Sequence, residues 1–501
     1  MKKSLLPFLL LLVLLGCSTQ QSTKFDVSSP IGKLGYELSQ KFDDPEFENA
    51  HWGVLIRSLK TGETVYSRNE KKMFMPASNM KLFTTSSAMK ALGPDYRYTT
   101  RLVTTGSVKD SVLNGSIIVV GSGDPTISGR YNDGNVTETF AQWADSLRSH
   151  GIKAVNGSII GDDNCFDDEF YGSNWAAEYE TDYYAAQISG ISFNDNCVDF
   201  RVVPSANAAD VCSLSWTPNT KYVNVINQTV TAPVTDSVND ISFYRVRGTN
   251  TIYVRGAMSV GKKELTESVA IDNPTLFTVT VLKEILESKG IRVNGNPVDA
   301  DELKDSLKYE NVQQLASFTS VPYSVMVRTI NKQSQNFYTE QVYRTMGKES
   351  AGRGSMESGR TVVKPVLAGW GVDTVRIRMA DGSGLSRMDL ITPSDLVSIL
   401  SGMYQEKYFL PFYESLPIAG VDGTIRSRMR GTKAEGNVHA KTGFIGYVRA
   451  LSGYVTSADG EMFVFSMVAN HYTVPTSKAE KIQNDVCVKL AEFSRSEKTS
   501  R

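Results

Sequence analysis

Between residues 96 and 269 the chain changes texture, and no other feature limits its fold as tightly. Val, Ile, Thr, Asn and Gly crowd this stretch, turn signals recur, and amphipathic helical runs are few. On either side helical periodicity dominates. A run from Ser78 to Leu92 stops at Gly93-Pro94, and Leu276, Phe277, Val281, Leu282 and Ile285 share one face after Asn273-Pro274. Further runs span Pro322 to Met346 and Lys478 to Phe493. Strands are expected over Trp52 to Leu59, Thr64 to Ser67, Val438 to Val455 and Glu461 to Ala469. A chain of 501 residues is too long for one hydrophobic core. The simplest arrangement is an α/β (α+β) domain built from residues 31–95 and 270–501, interrupted by a β-rich insertion of two subdomains over 96–269. Within the insertion, Asn114-Gly-Ser-Ile-Ile118 is echoed by Asn156-Gly-Ser-Ile-Ile160. Phe140, Trp143, Ala144 and Leu147 lie between them at helical spacing, the pattern of a strand-helix-strand unit.

The N-terminus stands apart from that body. Lys2 and Lys3 precede an apolar run from Leu5 to Leu15, short of the ~20 residues a membrane-spanning helix needs, so residues 1–16 read as a signal peptide. The run ends in Leu14-Leu15-Gly16-Cys17, which resembles the bacterial lipobox, where the cysteine thiol becomes lipidated. The expectation is a protein exported to the periplasmic or other extracytoplasmic side of a bacterial envelope. There it is held to the membrane by lipid on Cys17, through a Ser/Thr/Gln-rich tether over 17–30. Export permits disulfides. Among Cys165, Cys197, Cys212 and Cys487, the pair Cys197 and Cys212 is close in sequence and is the expected bridge. His51, His150, His439 and His471 are scattered, and no Cys or His pair has zinc-ligand spacing, so no metal and no cofactor are expected. The 53 basic residues balance 54 acidic ones, which gives nucleic acid no basis as a partner. The sequence carries no signal for an oligomeric state.

Three short motifs carry chemistry: Ser78-Asn-Met-Lys81, Ser334-Gln-Asn336 and Lys441-Thr-Gly443. Ser78 follows Pro76 at the start of a predicted helix, so Lys81 falls one turn later on the same face and sets an amine beside a hydroxyl. A serine hydroxyl needs a neighbouring base to become a nucleophile. A lysine serves as that base only when burial or a second positive charge lowers its pKa, and Lys441 is a candidate for that charge. Ser334 and Asn336 fall in a connection inside a helical block, from which both can point into a cleft. Gly443, on a predicted strand, lets the backbone pass close to a ligand. A G-x-S-x-G elbow is absent, which argues against a lipase or esterase fold.

In this order the motifs match the signature set of serine penicillin-recognising enzymes. The chain resembles the class C low-molecular-mass penicillin-binding proteins, the D-alanyl-D-alanine carboxypeptidase/endopeptidase family. Gly121-Ser-Gly-Asp-Pro-Thr126, Phe193-Asn-Asp-Asn196, Asn331-Lys-Gln-Ser-Gln-Asn336, Asp381-Gly-Ser-Gly-Leu-Ser386 and Gly420-Val-Asp-Gly-Thr424 add to the likeness. So does the insertion of roughly 250 residues between the first two motifs, too long for a compact β-lactamase. The resemblance implies a transpeptidase-like domain of antiparallel sheet flanked by helices. It also implies a serine peptidase that hydrolyses the D-Ala-D-Ala bond of peptidoglycan stem peptides, and cross-bridges with it, and that is acylated by β-lactam antibiotics.

In that scheme Ser78 is the nucleophile, Lys81 its base, Ser334 the relay to the leaving D-alanine and Asn336 the group that orients Lys81 and substrate. Lys441 tunes the site, Thr442 and Gly443 hold substrate, and the backbone N–H groups of Ser78 and Phe444 form the oxyanion hole. Phe444 departs from the family, which has Ser or Thr there: the backbone donor survives and the hydroxyl does not. Arg387 either compensates for it or is a surface arginine. Asp162 and Phe166 stand where the family contacts the amine end of the stem peptide, although Asp162 also reads as a turn residue. The competing readings are a serine β-lactamase and a catalytically silent, wall-binding lipoprotein; the second predicts degraded motifs, and these are intact.

Overall fold

The computed structural model describes residues 25–496; the expected signal peptide and the lipidation site Cys17 lie outside the described residues. A five-stranded antiparallel sheet is built from both ends of the chain, in the order His439–Ile445, Val448–Thr456, Met462–Asn470, His51–Ser58, Thr64–Arg68. His51–Ser58 pairs with Met462–Asn470 along its whole length, from His51 opposite Asn470 to Ser58 opposite Phe463. Alternate side chains face opposite layers, as the period of two in a strand requires. Leu55, Ala450, Tyr454, Val464 and Val468 pack against helices Met80–Ala91, Tyr323–Lys332, Asn336–Ala351, Met356–Gly369 and Pro393–Gln405. Val54, Ile56, Leu451, Val455, Phe465 and Met467 pack against helices Pro30–Phe42 and Thr476–Glu492. Both faces are covered, so the central strands carry apolar residues on both sides.

The middle of the chain forms separate sheets over its own core. Ile117–Val120 and Ile159–Asp162 pair in parallel, Ile117 opposite Ile159 and Ile118 opposite Ile160, with helix Glu138–Ser149 between them in sequence. The two Asn-Gly-Ser-Ile-Ile segments therefore align residue for residue. A third turn, Asn294-Gly295, continues the series, because Pro297–Asp299 pairs in parallel with Ile159–Asp162. Glycine is required in this stack: a Cβ on Gly157 would lie 2.4 Å from the Gly115 carbonyl oxygen, and one on Gly295 2.5 Å from that of Gly157. The middle core also takes Phe277, Val281 and Leu282 from helix Pro274–Ser288, and Gln313–Thr319 pairs with Thr99–Thr104. These elements follow residue 270, where the sequence reading returns the chain to the first domain.

Two expectations are corrected. The single strand read over Val438 to Val455 is two strands folded back at Gly446-Tyr447, with Ile445 opposite Val448. Tyr447 takes the left-handed conformation (φ 66°), which an aromatic residue does not advertise as Asn-Gly or Asp-Gly would. Cys197 and Cys212 are both free thiols, as are Cys165 and Cys487. Strand Cys197–Val203 pairs with Ser213–Thr217 so that Ser213 lies opposite Val203. Cys212 is thus beyond the far end of the strand from Cys197, about 20 Å away at the rise of a strand, against the ~7 Å Cα limit of a disulfide.

Candidate active site

Ser78 lies in a short 3-10 turn, Ala77–Asn79, that runs into helix Met80–Ala91. Two glycines allow the surroundings to close on that turn. A Cβ on Gly384 would sit 1.9 Å from the Ala77 carbonyl oxygen, and one on Gly443 would sit 2.5 Å from that of Pro76. The Asp381 loop and the Lys441 strand can therefore touch the backbone that carries the serine. Asn79 adds a tie, donating from Nδ2 to the Lys441 carbonyl at 2.9 Å.

Lys81 is fully buried. Its ammonium donates to Ser78 Oγ at 3.0 Å, Asn336 Oδ1 at 2.5 Å and the Ser383 carbonyl at 2.8 Å. Asn336 stands 255 positions away in the chain and in turn donates to the Tyr184 carbonyl of the middle region at 2.8 Å. Ser334 sits in the bend between helices Tyr323–Lys332 and Asn336–Ala351, in the left-handed conformation (φ 59°). Its hydroxyl accepts from Lys441 Nζ at 2.8 Å. The fold thus brings Ser78, Lys81, Ser334, Asn336 and Lys441 together.

Burial pushes the Lys81 amine down to about 7, against the pull of the Asp381, Glu340 and Asp389 charges, which favour the ammonium. Lys441 is held well below the ordinary lysine range, first by burial, then by the Lys81 and Arg449 charges. Desolvation, rather than the Lys441 charge the sequence pointed to, is what makes Lys81 a usable base near neutral pH.

These groups open on a cleft of about 930 Å³. One wall holds Ser78, Ser334, Asn336, Leu385 and Phe444; the other, from the middle region, holds Arg130, Tyr179, Tyr183, Tyr184, Asp199 and Glu267. Phe444 is 56% exposed and faces this space. Thr442 is buried and donates to the Thr424 hydroxyl at 2.7 Å. Arg387 lies at the rim, its guanidinium donating to the Gly446 carbonyl at 3.2 Å.

Asp162 and Phe166 are not among the residues that line the cleft. Phe166 is buried over Gly123 and Gly354, where a Cβ on either glycine would lie 2.4 Å from its ring, so it presents no face to a ligand. Asp162 accepts from the Tyr309 hydroxyl and from Asn164. The carboxylates that reach the cleft are Asp199 and Glu267, which pair with no cation among the described residues. No motif marks either one. Arg130 and Asp195 also escaped the sequence reading as site residues. They form an ion pair at 2.5 Å, and Gln333 and Gln335, the neighbours of Ser334, bond to Arg130 and Asp195 respectively. The only signal was the Asn-Asp-Asn run, whose left-handed conformations at Asn194, Asp195 and Asn196 build that contact.

Residues 34–492 match the D-Ala-D-Ala carboxypeptidase 3 (S13) family. A D-alanyl-D-alanine carboxypeptidase of Actinomadura sp. (strain R39) is 34% identical over 92% of this chain and 85% of its own. The D-alanyl-D-alanine carboxypeptidase DacB of Haemophilus influenzae is 26% identical over 87% of this chain and 88% of its own. The crystal structure of penicillin binding protein 4 (dacB) from Haemophilus influenzae superposes with a TM-score of 0.79 at 24% identity, covering 91% of this chain and 99% of that one.

Proposed function

The chain belongs to the D-Ala-D-Ala carboxypeptidase 3 (S13) family and is a serine-type D-Ala-D-Ala carboxypeptidase, and on that premise we propose that Ser78 is its nucleophile and Lys81 the base. The observation that carries this reading is the Lys81 amine, buried and within 3.0 Å of the Ser78 hydroxyl. With Lys81 neutral, the bond reverses and Ser78 donates to it. Ser78 Oγ adds to the carbonyl carbon between the terminal D-alanines while its proton passes to Lys81. The backbone N–H groups of Ser78 and Phe444 receive the oxyanion. Collapse expels the terminal D-alanine amine, which takes up by way of Ser334 the proton that Lys81 received, so Lys81 is neutral again and an acyl-enzyme remains on Ser78. Water then attacks the ester carbonyl and its proton passes to Lys81 and on to Ser78 Oγ as the acyl bond breaks, so the shortened peptide leaves and the serine is restored. The same cleft accepts a cross-bridge for endopeptidase cleavage, and a β-lactam acylates Ser78 and is released slowly. Labelling with a fluorescent penicillin followed by peptide mapping decides the nucleophile. The adduct is expected on the Ser78 peptide; label elsewhere, or none on folded protein, rules this reading out.

Asp199 and Glu267 take the place expected for Asp162 in meeting a stem-peptide side chain that ends in an ammonium group. Burial and the Asp182 charge raise the Glu267 carboxyl, so a cationic ligand also relieves its cost of ionising. Glu267→Gln is expected to raise KM roughly fivefold for a stem peptide with a free side-chain amine, in line with about 1 kcal/mol for a half-exposed pair, and to leave the acetylated peptide unaffected. Asp162→Ala should change neither. An equal change for both peptides removes Glu267 from recognition.

Strand pairing supports a middle region that extends to about residue 320, with the peptidase domain resuming at helix Tyr323–Lys332. No helix among the described residues is long and apolar enough to cross a membrane. For attachment to the membrane we retain lipid on Cys17, supported by the lipobox-like sequence. Cys17→Ser should move the protein from the detergent-extracted to the soluble fraction; unchanged partitioning excludes the anchor.

A further inference from the structure

Helix Asn336–Ala351 carries a second inward-facing polar group one turn beyond Asn336. Glu340 is fully buried, and its carboxylate accepts from the Gly382 N–H at 3.0 and 3.1 Å and from the Ser383 N–H at 2.7 Å. The carbonyls of the same two residues point the other way, toward the nucleophile helix. Gly382 O accepts from Thr84 Oγ1 at 2.7 Å, and Ser383 O accepts from Lys81 Nζ at 2.8 Å. Asp381 holds the rest of the loop, accepting from the N–H groups of Gly384 at 2.6 Å and Ser386 at 2.7 Å and from Trp175 Nε1 at 2.8 Å. Asp389 accepts from the N–H of Ala380 at 2.6 Å.

We propose that Glu340 is a positioning residue for the acylation step: by gripping the N–H groups of Gly382 and Ser383, while Asp381 holds that of Gly384, it fixes the stretch of peptide that aims the Ser383 carbonyl at Lys81 and so sets where the amine sits relative to Ser78. This rests on Lys81 acting as the base. An amine free to rotate has three donor directions; Asn336 and Ser383 take two of them, and the remaining direction is the one that meets Ser78. Glu340 touches neither substrate nor Ser78 and works only through that peptide.

The charged groups around Glu340 are Lys81 from the nucleophile helix, Asp381 and Asp389 from the loop, and Arg344 one turn along its own helix. Lys441 faces Ser334, and Arg360 of helix Met356–Gly369 is turned to the Met379 carbonyl. Burial and the Asp381 charge raise the Glu340 carboxyl to about 7, opposed by Arg344, while burial and the Asp381 charge also raise Asp389 well above its ordinary value. Lys81 and Glu340 therefore titrate together. At low pH both are protonated; the first proton lost leaves carboxylate and ammonium, and the second leaves carboxylate and free amine, the form that accepts the Ser78 proton.

The test is the pH profile of penicillin acylation and of kcat and KM for a D-Ala-D-Ala peptide, each rate normalised to active sites titrated with penicillin. In the wild type the logarithm of the acylation rate should fall with a slope approaching two on the acid side. Glu340→Gln keeps one acceptor oxygen for the two N–H groups and sets its NH₂ group against the Gly382 N–H. It is expected to lower kcat roughly 10–100-fold with KM nearly constant, and to reduce the slope to one. Removing the carboxylate also moves the acid limb toward lower pH. Glu340→Asp keeps the charge and should restore the steeper limb. A wild-type slope of one, or a Gln variant whose loss is wholly accounted for by fewer titratable sites, overturns the proposal. The wild-type slope needs no variant to fold. Failure of the Ser78 mapping would instead overturn the underlying assignment of the nucleophile.

Discussion

Replacing Ser78 with alanine is expected to lower kcat for D-Ala-D-Ala cleavage by at least about 10⁴-fold, equivalent to roughly 6 kcal/mol of transition-state stabilisation. No other hydroxyl can take its place. Ser334 is bonded to Lys441 rather than to Lys81, and the Thr442 hydroxyl is committed to Thr424. What activity survives comes from water reacting in a cleft that still binds peptide and stabilises the oxyanion. KM should stay within a few-fold of the wild type, because the hydroxyl contributes to the reaction more than to ground-state binding. The fold should be unaffected: Ser78 is half-buried, and its side-chain bond is to Lys81, the group that activates it. Steady-state kinetics alongside a thermal melt measure both. A variant with unchanged Tm that retains even a hundredth of the activity would place the nucleophile elsewhere.

The second large effect is expected from Lys81→Met, which keeps the length of the side chain and removes the amine. General-base catalysis contributes roughly 10²–10⁴-fold, and acylation by penicillin should fall by the upper part of that range because no other amine is placed to serve Ser78. Lys441 is within bonding distance of Ser334 and the Thr442 carbonyl instead. The pH dependence identifies the cause. In the wild type the reactive form has Lys81 neutral; burial sets its pKa at about 7, so acylation is lost as the pH drops below 7 and levels off above it. The methionine variant should lose the Lys81 proton from this limb and keep at most the one-proton slope of Glu340. A limb as steep as that of the wild type would assign the base to another group. The sign for stability is the same. Lys81 binds its proton less tightly in the folded chain than in the unfolded one, so its contribution rises with pH between about 7 and 10.5.

Much of the catalytic centre was legible because its chemistry is written locally. Ser78 and Lys81 are one helical turn apart, and a helix start after Pro76 makes that spacing a contact in any fold. Ser334 and Asn336 flank a bend that polar residues announce, and the aligned Asn-Gly-Ser-Ile-Ile segments disclosed a parallel pair before any coordinates. The misses are of another kind. The turn at Gly446-Tyr447 depends on a conformation that tyrosine rarely adopts. The Cys197–Cys212 pairing failed because closeness in sequence was taken for closeness in space, and strand register separates the two. Phe166 went to the core because Gly123 and Gly354 leave it a slot there.

The sequence by itself determined which groups are candidates for the chemistry, their order, and the division of the chain into helix-rich flanks around a β-rich middle, since each depends on residue type and on short-range periodicity. The tertiary structure alone decided how those groups behave. A lysine becomes a base near neutral pH only when residues hundreds of positions away exclude water from it, and no local pattern encodes that desolvation. The same holds for the carboxylates. Glu340 and Asp381 are turned inward to hold a loop, Asp199 and Glu267 face the cleft, and Asp162 is spent on a tyrosine. The carboxylate group serves three purposes here, because packing between distant segments, and not composition, sets what each one faces.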